Sequence, residues 1–203
     1  MPKLTVSLQP YDPDALGAWT RRQRNALSFP ATAADLERLL KRKARGRAAK
    51  TRRFFGEAYI ASQTRYREAY YSSFKWLTNP RFAGDRKLRD KNQEQLRKAL
   101  QDHFTPKRIA KLQRVVRELS GVCRKDLAGK HPTPPDLWLV GRGGRHRFIE
   151  VKLPGDSLAP HQIAGMAAIA CVLSGPKRVS IEVVHLDDDC RLFTSFCRAV
   201  RAR

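Results

Sequence analysis

The sequence predicts an α/β fold in which a mixed β-sheet is flanked by helices and preceded by a helical, basic N-terminal part. Three observations support this prediction: amphipathic helical spacing over residues 90–120, a hairpin pattern over residues 136–153, and then a helix pattern followed by a strand pattern. Elements in this order bury their apolar faces by packing helices on a sheet. The length of 203 residues suits one domain with a sizeable core and a smaller appendage.

The N-terminal zone is rich in proline at first and in basic residues afterwards. Four prolines predict that residues 1–30 are irregular or partly strand-forming, and a capped helix is predicted over residues 32–40. A dense basic run follows at residues 38–53. The expected divisions of the chain are 1–53 for the basic extension, 54–120 for the helical part of the main domain and 121–203 for its motif-bearing core.

The segment from residue 54 to residue 77 has apolar spacing that predicts one helix, which ends before Asn79 and Pro80. Aromatic and basic side chains are interleaved there, as in a surface that stacks bases beside a phosphate backbone. A stripe of core residues is the more common cause of such a pattern, and both interpretations stay open. The aromatic residues concerned are Tyr59, Tyr66, Tyr70, Phe74 and Trp76.

Proline and glycine mark the ends of the remaining helices. Two helices are predicted over residues 90–120, separated at Thr105 and Pro106, and Gly121 is expected to end the second one. The elements expected after the hairpin are a helix over residues 160–173, a strand over 178–186 and a basic terminal helix over 191–203.

A β-hairpin is predicted around the glycine-rich turn at residues 141–145. Its strands are expected at residues 136–140 and 146–153, because both have the composition of buried strands. If the loop spans the whole turn, Val140 pairs with His146, and this pairing fixes the register of the hairpin.

Three charged residues of the hairpin are predicted to converge. The register brings Asp136 opposite Glu150, and side-chain alternation places Glu150 and Lys152 on one face while Val151 points into the core. Two carboxylates can hold a hard divalent cation, and an ammonium group beside them suits hydrolysis of a phosphodiester bond. A turn cap and a solvent-exposed ion pair are the alternative explanation. The apolar context of the strand favours the functional interpretation.

Several motifs in fixed order resemble the VRR-Nuc branch of the PD-(D/E)XK nucleases, over about residues 119–186. The resemblance implies a restriction-endonuclease-like core. The segment 119–124 is also similar to the nuclease domain of Fanconi-associated nuclease. The motifs are Cys123-Arg124, Pro135-Asp136-Leu137, Phe148-Ile149-Glu150-Val151-Lys152 and Pro154-Gly155-Asp156-Ser157-Leu158, followed by Gln162.

The resemblance implies a role for each residue of the site. Asp136 and Glu150 would bind the metal, and the Val151 carbonyl would be an additional ligand. Lys152 would be the catalytic lysine, and Gln162 would face the site from the following helix. The implied cofactor is Mg²⁺ or Mn²⁺, and no small-molecule cofactor is expected.

The family also uses a glutamate from an upstream helix as a metal ligand. Glu57, which follows a glycine, is the best candidate, and Glu94 and Glu118 are its competitors. An acidic residue in the first turn of a helix is also favoured by the helix dipole alone. The chain departs from the family pattern at Leu153, where glycine is common, and at residues 164–168, where an aromatic residue is expected.

The charge balance indicates a polyanionic partner independently of the motifs. The chain has 41 Lys and Arg against 19 Asp and Glu, a formal net charge of +22 and a pI near 10.7. Binding to nucleic acid would release counterions and would weaken steeply with salt. A nuclear-localisation or ribosomal-protein arm is the alternative explanation of the basic run. The DNA-binding candidates are Arg42, Lys43, Arg45, Arg52 and Arg53.

Some classes of protein are not indicated by the sequence. It has no apolar stretch of the roughly 18 residues that a membrane span needs, and no secretory signal pattern at its N-terminus, so we expect a cytoplasmic protein without a membrane partner. The four cysteines form no CxxC pair, so neither a zinc site nor a redox motif is predicted. They are Cys123, Cys171, Cys190 and Cys197.

The sequence therefore predicts a metal-dependent DNA nuclease. A stand-alone bacterial or phage nuclease and an antibacterial effector toxin, delivered into target cells, are the leading interpretations, since the chain lacks room for the further modules of larger repair enzymes. A structure-specific repair nuclease or a junction resolvase is the alternative, and a non-catalytic nucleic-acid-binding module is a further one. The expected partners are DNA, including branched or flapped DNA, and an acidic immunity protein in the case of a toxin.

Overall fold

The computed structural model describes residues 3–23, 26–44, 52–72, 91–126, 131–175 and 178–187. Several predictions concern residues outside these ranges: the terminal basic helix 191–203, the aromatic residues Phe74 and Trp76, and Arg45 of the basic run.

The described residues form five strands and six α-helices. The strands are β1 (Lys3–Pro10), β2 (Glu68–Tyr71), β3 (Leu137–Val140), β4 (His146–Lys152) and β5 (Val179–Asp187). The helices are α1 (Pro13–Thr20), α2 (Ala34–Ala44), α3 (Phe55–Gln63), α4 (Lys91–His103), α5 (Pro106–Asp126) and α6 (Pro160–Leu173). Within these described ranges, none of the helices has the length and hydropathy needed to cross a bilayer.

The described strands form one mixed sheet in the order β1-β5-β4-β3-β2. Strand β5 is parallel to both β1 and β4, whereas β3 is antiparallel to β4 and to β2. This confirms the predicted α/β fold with a mixed sheet flanked by helices. The predicted hairpin register is also correct, since Val140 pairs with His146 and Leu137 with Ile149.

Helices cover both faces of the sheet, so the chain has two cores. Helices α4, α5 and α6 pack against Trp138, Phe148 and their neighbours, whereas α1, α2 and α3 pack against Leu137, Ile149 and Val151. Side chains of β4 alternate between these cores because successive strand residues point to opposite faces. Sandwiching the sheet between helices explains why most residues of β3 and β4 are buried.

The N-terminal zone takes part in this packing. Strand β1 pairs along its whole length with β5 at one edge of the sheet. Side chains of α1 and α2, among them Trp19 and Leu40, lie in the α1–α3 core. The predicted helix over residues 32–40 is present as a short 3₁₀ turn followed by α2. The division of the chain into domains at residue 53 stays a prediction.

The helix predicted over residues 54–77 is wrong in its second half. Helix α3 ends at Gln63, Thr64 has extended backbone angles, and residues 68–71 form β2. The aromatic spacing was compatible with a helix, but β3 supplies hydrogen-bonding partners to this segment from a distant part of the chain. Tertiary pairing therefore decides its conformation.

The predicted end of a helix at Gly121 is also wrong, because α5 continues to Asp126. A glycine inside a helix costs only about 1 kcal/mol relative to alanine. A Cβ at this position would meet no atom within 4 Å, so packing does not select the glycine either. The break between α4 and α5 at Thr105 and Pro106 follows the prediction, as does the extent of α6.

One close contact joins α6 to the segment that leads into β3. A Cβ added to Gly165 would lie 1.8 Å from the Thr133 carbonyl oxygen. Helix α6 therefore approaches this backbone as closely as only glycine allows. The contact holds the entry to β3, and with it Asp136, against the helix.

Two alanine substitutions should separate a packing glycine from an unconstrained one. We expect Gly165→Ala to lower the free energy of unfolding by about 1–3 kcal/mol, because the added methyl group has no space. The matched substitution Gly121→Ala, also inside a helix, should raise it by up to about 1 kcal/mol. Urea denaturation followed by circular dichroism measures both. Equal changes in the two variants would contradict the close packing of α6.

Candidate active site

The hairpin brings two carboxylates and an ammonium group to one end of the sheet. Asp136 precedes β3, and its Oδ2 accepts a hydrogen bond of 3.0 Å from the Val151 amide. Glu150 and Lys152, near the end of β4, are only 1% and 6% exposed. Their side chains form an ion pair, with 2.9 Å between Lys152 Nζ and Glu150 Oε1. Such burial is incompatible with a solvent-exposed cross-strand pair.

Gln162 connects this ion pair to the first turn of α6. Its Oε1 accepts hydrogen bonds of 2.9 Å from Lys152 Nζ and from the Ala159 amide at the start of the helix. Its Nε2 donates to Glu150 Oε1. One amide side chain thus contacts both charged groups and is itself fixed by the helix terminus, so the orientation of the pair depends on α6.

Glu57 reaches the same site from α3 on the other side of the sheet. Gly56, the residue before it, lies so close to β4 that an added Cβ would be 2.7 Å from Val151 Cγ1. The glycine therefore allows α3 to lie against β4 with Glu57 near the acids. This explains in physical terms why a glycine precedes the glutamate at this position.

The two competing glutamates have other surroundings. Glu94 is in α4 and forms an ion pair of 2.7 Å with Arg97. Glu118 is an exposed residue of α5. Of the three candidates, the structure brings Glu57 together with Asp136 and Glu150. A role for the Val151 carbonyl stays a prediction, since the described contact of this residue is made by its amide.

The electrostatics of the site reflect the crowding of acids in a buried place. Burial raises the pKa of Asp136 well above its usual value, and the charges of Glu57 and Glu150 raise it further. Burial likewise raises the pKa of Glu57 to about 7, with smaller contributions from Glu150 and Asp156. Burial raises the pKa of Glu150 as well, although Lys152 partly offsets this effect. Bringing all the acids together in ionised form is therefore unfavourable.

The chemistry of these side chains suits a divalent cation. Carboxylate oxygens are the ligands that hard cations prefer, and a positive ion would offset the burial and mutual repulsion that raise the acid pKa values. As the side chains stand, no group of three or more His, Cys, Asp or Glu among the described residues is arranged to hold an ion. The site therefore fits a metal through the chemistry of its donor atoms rather than through their present arrangement. Asp136, Glu150 and Glu57 are the residues that would hold the ion.

A cluster of cationic and aromatic side chains lies beside the acids. The Lys43 ammonium is 4.7 Å from the centroid of the Tyr71 ring and 5.6 Å from that of Phe54. The Arg53 guanidinium is 5.8 Å from the Phe54 centroid. After burial, the charges of Glu57, Asp136 and Glu150 are the main causes of a raised Tyr71 pKa, so this ring lies near the acids. Lys43, Arg53, Phe54 and Tyr71 are named the cationic rim below.

The other DNA-binding candidates and aromatic residues are placed as follows. Arg42 and Arg52 are exposed neighbours of the cationic rim in sequence, and Arg45 lies outside the described residues. Tyr70 packs against Trp138 in the core, with 4.9 Å between ring centroids. Tyr59 and Tyr66 pack against the α1–α3 core, which favours the structural interpretation for them. Tyr71 is not among the predicted site residues because its segment is predicted as a helix. Its place next to Asp136 follows from the pairing of Tyr71 with Leu137.

A known family of proteins matches this chain. The sequence profile described as VRR-NUC domain matches residues 64–179, which is more than half of the chain. Asp136, Glu150, Lys152 and Gln162 lie within the matched region, whereas Glu57 lies outside it. A search of curated proteins found no match. The narrower likeness to Fanconi-associated nuclease stays a prediction.

The raised pKa of Glu57 should make metal-free stability depend on pH. The folded state keeps a proton on Glu57 between its ordinary pKa of 4.5 and about 7, so stability should fall as pH rises through this window. With EDTA present, we expect the free energy of unfolding to drop by about 1–3 kcal/mol from pH 5 to pH 8, since one proton retained over one pH unit is worth roughly 1.4 kcal/mol.

The variant Glu57→Gln should show a smaller drop than the wild type, because the amide cannot ionise. The exposed Glu118→Gln is the matched control and should keep the wild-type dependence. Denaturant titrations at several pH values measure the three proteins. Identical pH dependence in wild type and Glu57→Gln would show that ionisation of Glu57 does not destabilise the folded protein.

Proposed function

Because the chain belongs to the VRR-NUC domain family, a family of PD-(D/E)XK-like nucleases, we propose that it is a metal-dependent deoxyribonuclease that hydrolyses phosphodiester bonds with activated water. Its mixed sheet flanked by helices is consistent with the PD-(D/E)XK-like fold. A nuclease domain implies DNA as the substrate, and such nucleases generally use divalent metals. The choice of Mg²⁺ or Mn²⁺ is part of the proposal.

The observation that carries the proposal is the buried Glu150–Lys152 ion pair beside two further carboxylates. Burying an ion pair costs more than its attraction returns unless many hydrogen bonds accompany it. A chain selected for stability alone would favour apolar side chains at these two positions. A pair retained in this place, next to strongly perturbed acids, is typical of an active site.

Each residue of the cluster has a role in the proposed reaction. Asp136, Glu150 and Glu57, with the Val151 carbonyl, would hold the cation. When bound, the ion supplies activation of water and neutralisation of phosphate charge. Lys152 places a positive charge where negative charge develops on the phosphate in the transition state.

Gln162 acts on the charged groups rather than on the substrate. Its two polar atoms contact Lys152 and Glu150, and the Ala159 amide fixes its oxygen. Side chains in an active site need such support because a small displacement lowers the rate strongly. Gln162 is therefore proposed as a positioning residue for Lys152 and Glu150.

The cationic residues near the site are proposed to hold the DNA backbone. Lys43 and Arg53 lie in the cationic rim, next to the acids, and Arg42 and Arg52 are their exposed neighbours in sequence. Arg45, outside the described residues, is included for its charge alone. The formal net charge of +22 supports a large electrostatic contribution to binding. These contacts would fix the strand without reading its sequence.

The biological role is proposed as a stand-alone bacterial or phage nuclease or an antibacterial effector toxin. The basic net charge supports the toxin role in one respect, since an acidic immunity protein would complement it. Toxicity of the wild type on expression in bacteria, abolished by Glu150→Gln, would favour the toxin. Cleavage restricted to flaps or four-way junctions would instead favour repair or resolution.

Cleavage of supercoiled plasmid should depend on the ion pair and on a divalent cation. In Mg²⁺ or Mn²⁺ we expect Lys152→Ala to lower the rate about 10²–10³-fold, because a positive charge aimed at the transition state is lost. Glu150→Gln should have an effect at least as large. The exposed Lys111→Ala is the matched control and should cleave as the wild type does.

Thermal melting of each variant should accompany these assays, so that loss of folding is recognised. Excess EDTA should stop cleavage by the wild type. Equal rates in the wild type, Glu150→Gln and Lys152→Ala would show that the activity belongs to a contaminant, and the proposal would be wrong.

Salt dependence should report the backbone contacts of the cationic rim. We expect Lys43→Ala and Arg53→Ala each to reduce the slope of log binding constant against log salt by about 1, since each removes one phosphate contact. Fluorescence anisotropy of labelled DNA with the Glu150→Gln protein as background measures the slope. Lys111→Ala on that background is the control, and unchanged slopes for both rim variants would place the DNA elsewhere.

A further inference from the structure

Ser72 lies opposite Asp136, one residue beyond the end of β2. The paired register of β2 and β3 continues to these two residues, and the Ser72 amide donates a hydrogen bond of 2.9 Å to the Asp136 carbonyl. The Ser72 hydroxyl donates a second hydrogen bond, to the carbonyl of Pro135. Ser72 itself is fully buried. One small residue therefore contacts the peptide groups on both sides of a proposed metal ligand.

The two hydrogen bonds together fix the backbone angles of Asp136. The Pro135 carbonyl belongs to the peptide plane that turns with φ of Asp136, and the Asp136 carbonyl belongs to the plane that turns with ψ. With both oxygens bonded to Ser72, neither plane can rotate independently of the end of β2. The direction of the Cα–Cβ bond follows from these planes, so the hydrogen bonds also set the direction in which the carboxylate leaves the chain.

The carboxylate of Asp136 is held from the other side by β4. Its Oδ2 accepts a hydrogen bond of 3.0 Å from the Val151 amide. Asp136 is therefore anchored at its backbone by Ser72 and at its side chain by the strand that contains Glu150 and Lys152. If the backbone anchor is lost, the carboxylate has more freedom to move, and its hydrogen bond with Val151 should open more often.

The hydroxyl contact of Ser72 exceeds what strand pairing requires. The amide contact with the Asp136 carbonyl can be made by any residue except proline, as in any antiparallel ladder. The contact with the buried residue Pro135 instead needs a short side chain with a donor, which serine provides. Removing the hydroxyl takes a donor from a buried carbonyl, and such a loss is costly in a protein interior.

From these contacts we infer that Ser72 is a positioning residue for Asp136. The inference rests on the proposed function, in which Asp136 holds the catalytic cation. Groups that orient a metal ligand typically change metal affinity or activity by about 10–100-fold when they are removed. Ser72 would thus act on the reaction through Asp136, without touching the ion or the DNA.

The same end of β2 connects Asp136 to the cationic rim. Tyr71 belongs to the rim, with the Lys43 ammonium 4.7 Å from the centroid of its ring. Tyr71 pairs with Leu137, the residue after Asp136, and Ser72 follows it directly in the chain. Consecutive residues therefore set the spacing between the proposed phosphate contact and the proposed metal ligand.

A purely structural role is the competing explanation, since a buried serine hydroxyl bonded to a carbonyl also stabilises a fold. Ser120 in α5 provides a matched control for this role. It is 4% exposed, and its hydroxyl donates to the Val116 carbonyl at 2.7 Å, a hydrogen bond that stays within one helix. Ser120→Ala therefore removes the same kind of hydrogen bond as Ser72→Ala without acting on the peptide groups around Asp136.

Amide hydrogen exchange at Val151 tests the positioning role without metal or DNA. In EDTA we expect the Val151 amide to exchange about tenfold faster in Ser72→Ala than in Ser120→Ala, because the carboxylate that it contacts has lost its backbone anchor. NMR measures the exchange, and urea denaturation of both variants shows how much of it comes from global unfolding.

Ser72→Cys keeps a weak donor in a similar volume, so its Val151 exchange should lie between those of the wild type and Ser72→Ala. If Ser72→Ala does not fold, Ser72→Cys takes its place in the comparison with Ser120→Ala. Equal exchange at Val151 in the Ser72 variant and in Ser120→Ala would overturn the inference.

Mn²⁺ binding shows whether the position of Asp136 matters for the ion. In a titration followed by electron paramagnetic resonance without DNA, we expect the dissociation constant to rise about 10–100-fold in Ser72→Ala and to stay unchanged in Ser120→Ala. Glu150→Gln shows the loss expected when a proposed ligand is removed. Affinity that falls in Glu150→Gln but not in Ser72→Ala would overturn the inference.

Failure of the proposed function gives a different result. If the wild type binds Mn²⁺ but does not cleave DNA, the nuclease proposal is wrong while the positioning role stands on exchange and Mn²⁺ affinity. If the wild type binds no Mn²⁺, the metal-dependent function is refuted, and exchange at Val151 still decides whether Ser72 positions Asp136.

Discussion

Burial of the Glu150–Lys152 ion pair at the end of β4 is the constraint on which the rest of the candidate active site depends. Charges removed from water need partners for all their polar atoms, or the group changes its protonation state. Here the partners come from separate elements. Asp136 is supplied by the residue before β3, and Gln162 by the first turn of α6. The hairpin and α6 must therefore be in place before the pair is tolerated.

Close backbone approach, more than side-chain contact, sets the geometry of this end of the sheet. Gly56 lets α3 lie against Val151, and Gly165 lets α6 lie against Thr133. Each glycine thus allows a helix to deliver one polar side chain to the site, Glu57 in the first case and Gln162 in the second. A larger residue at either glycine would clash unless α3 or α6 shifted, so both positions support the geometry of the candidate site although neither has a reactive group.

The parts of the fold that could be predicted are those specified by local chemistry. The hairpin register follows from a glycine-rich turn between two buried strands, and α6 is bounded by Pro160 and a glycine-proline stop. Strand β2 was misassigned because its partner β3 is remote in sequence. The glycine before Glu57 favours this residue among three glutamates already in the sequence, and the packing of Gly56 on β4 gives the physical reason. The position of Tyr71 required the pairing of β2 with β3, which local spacing does not encode.

The parallel pairing of β1 with β5 has a consequence for how the protein is made. On the ribosome, β1 emerges long before β5, the strand that it pairs with. Strand β4 also lacks its second neighbour until β5 has been synthesised. Contacts so distant in sequence form slowly. The acids Glu57, Asp136 and Glu150 therefore gain their supporting sheet only late in synthesis, after β5 has emerged.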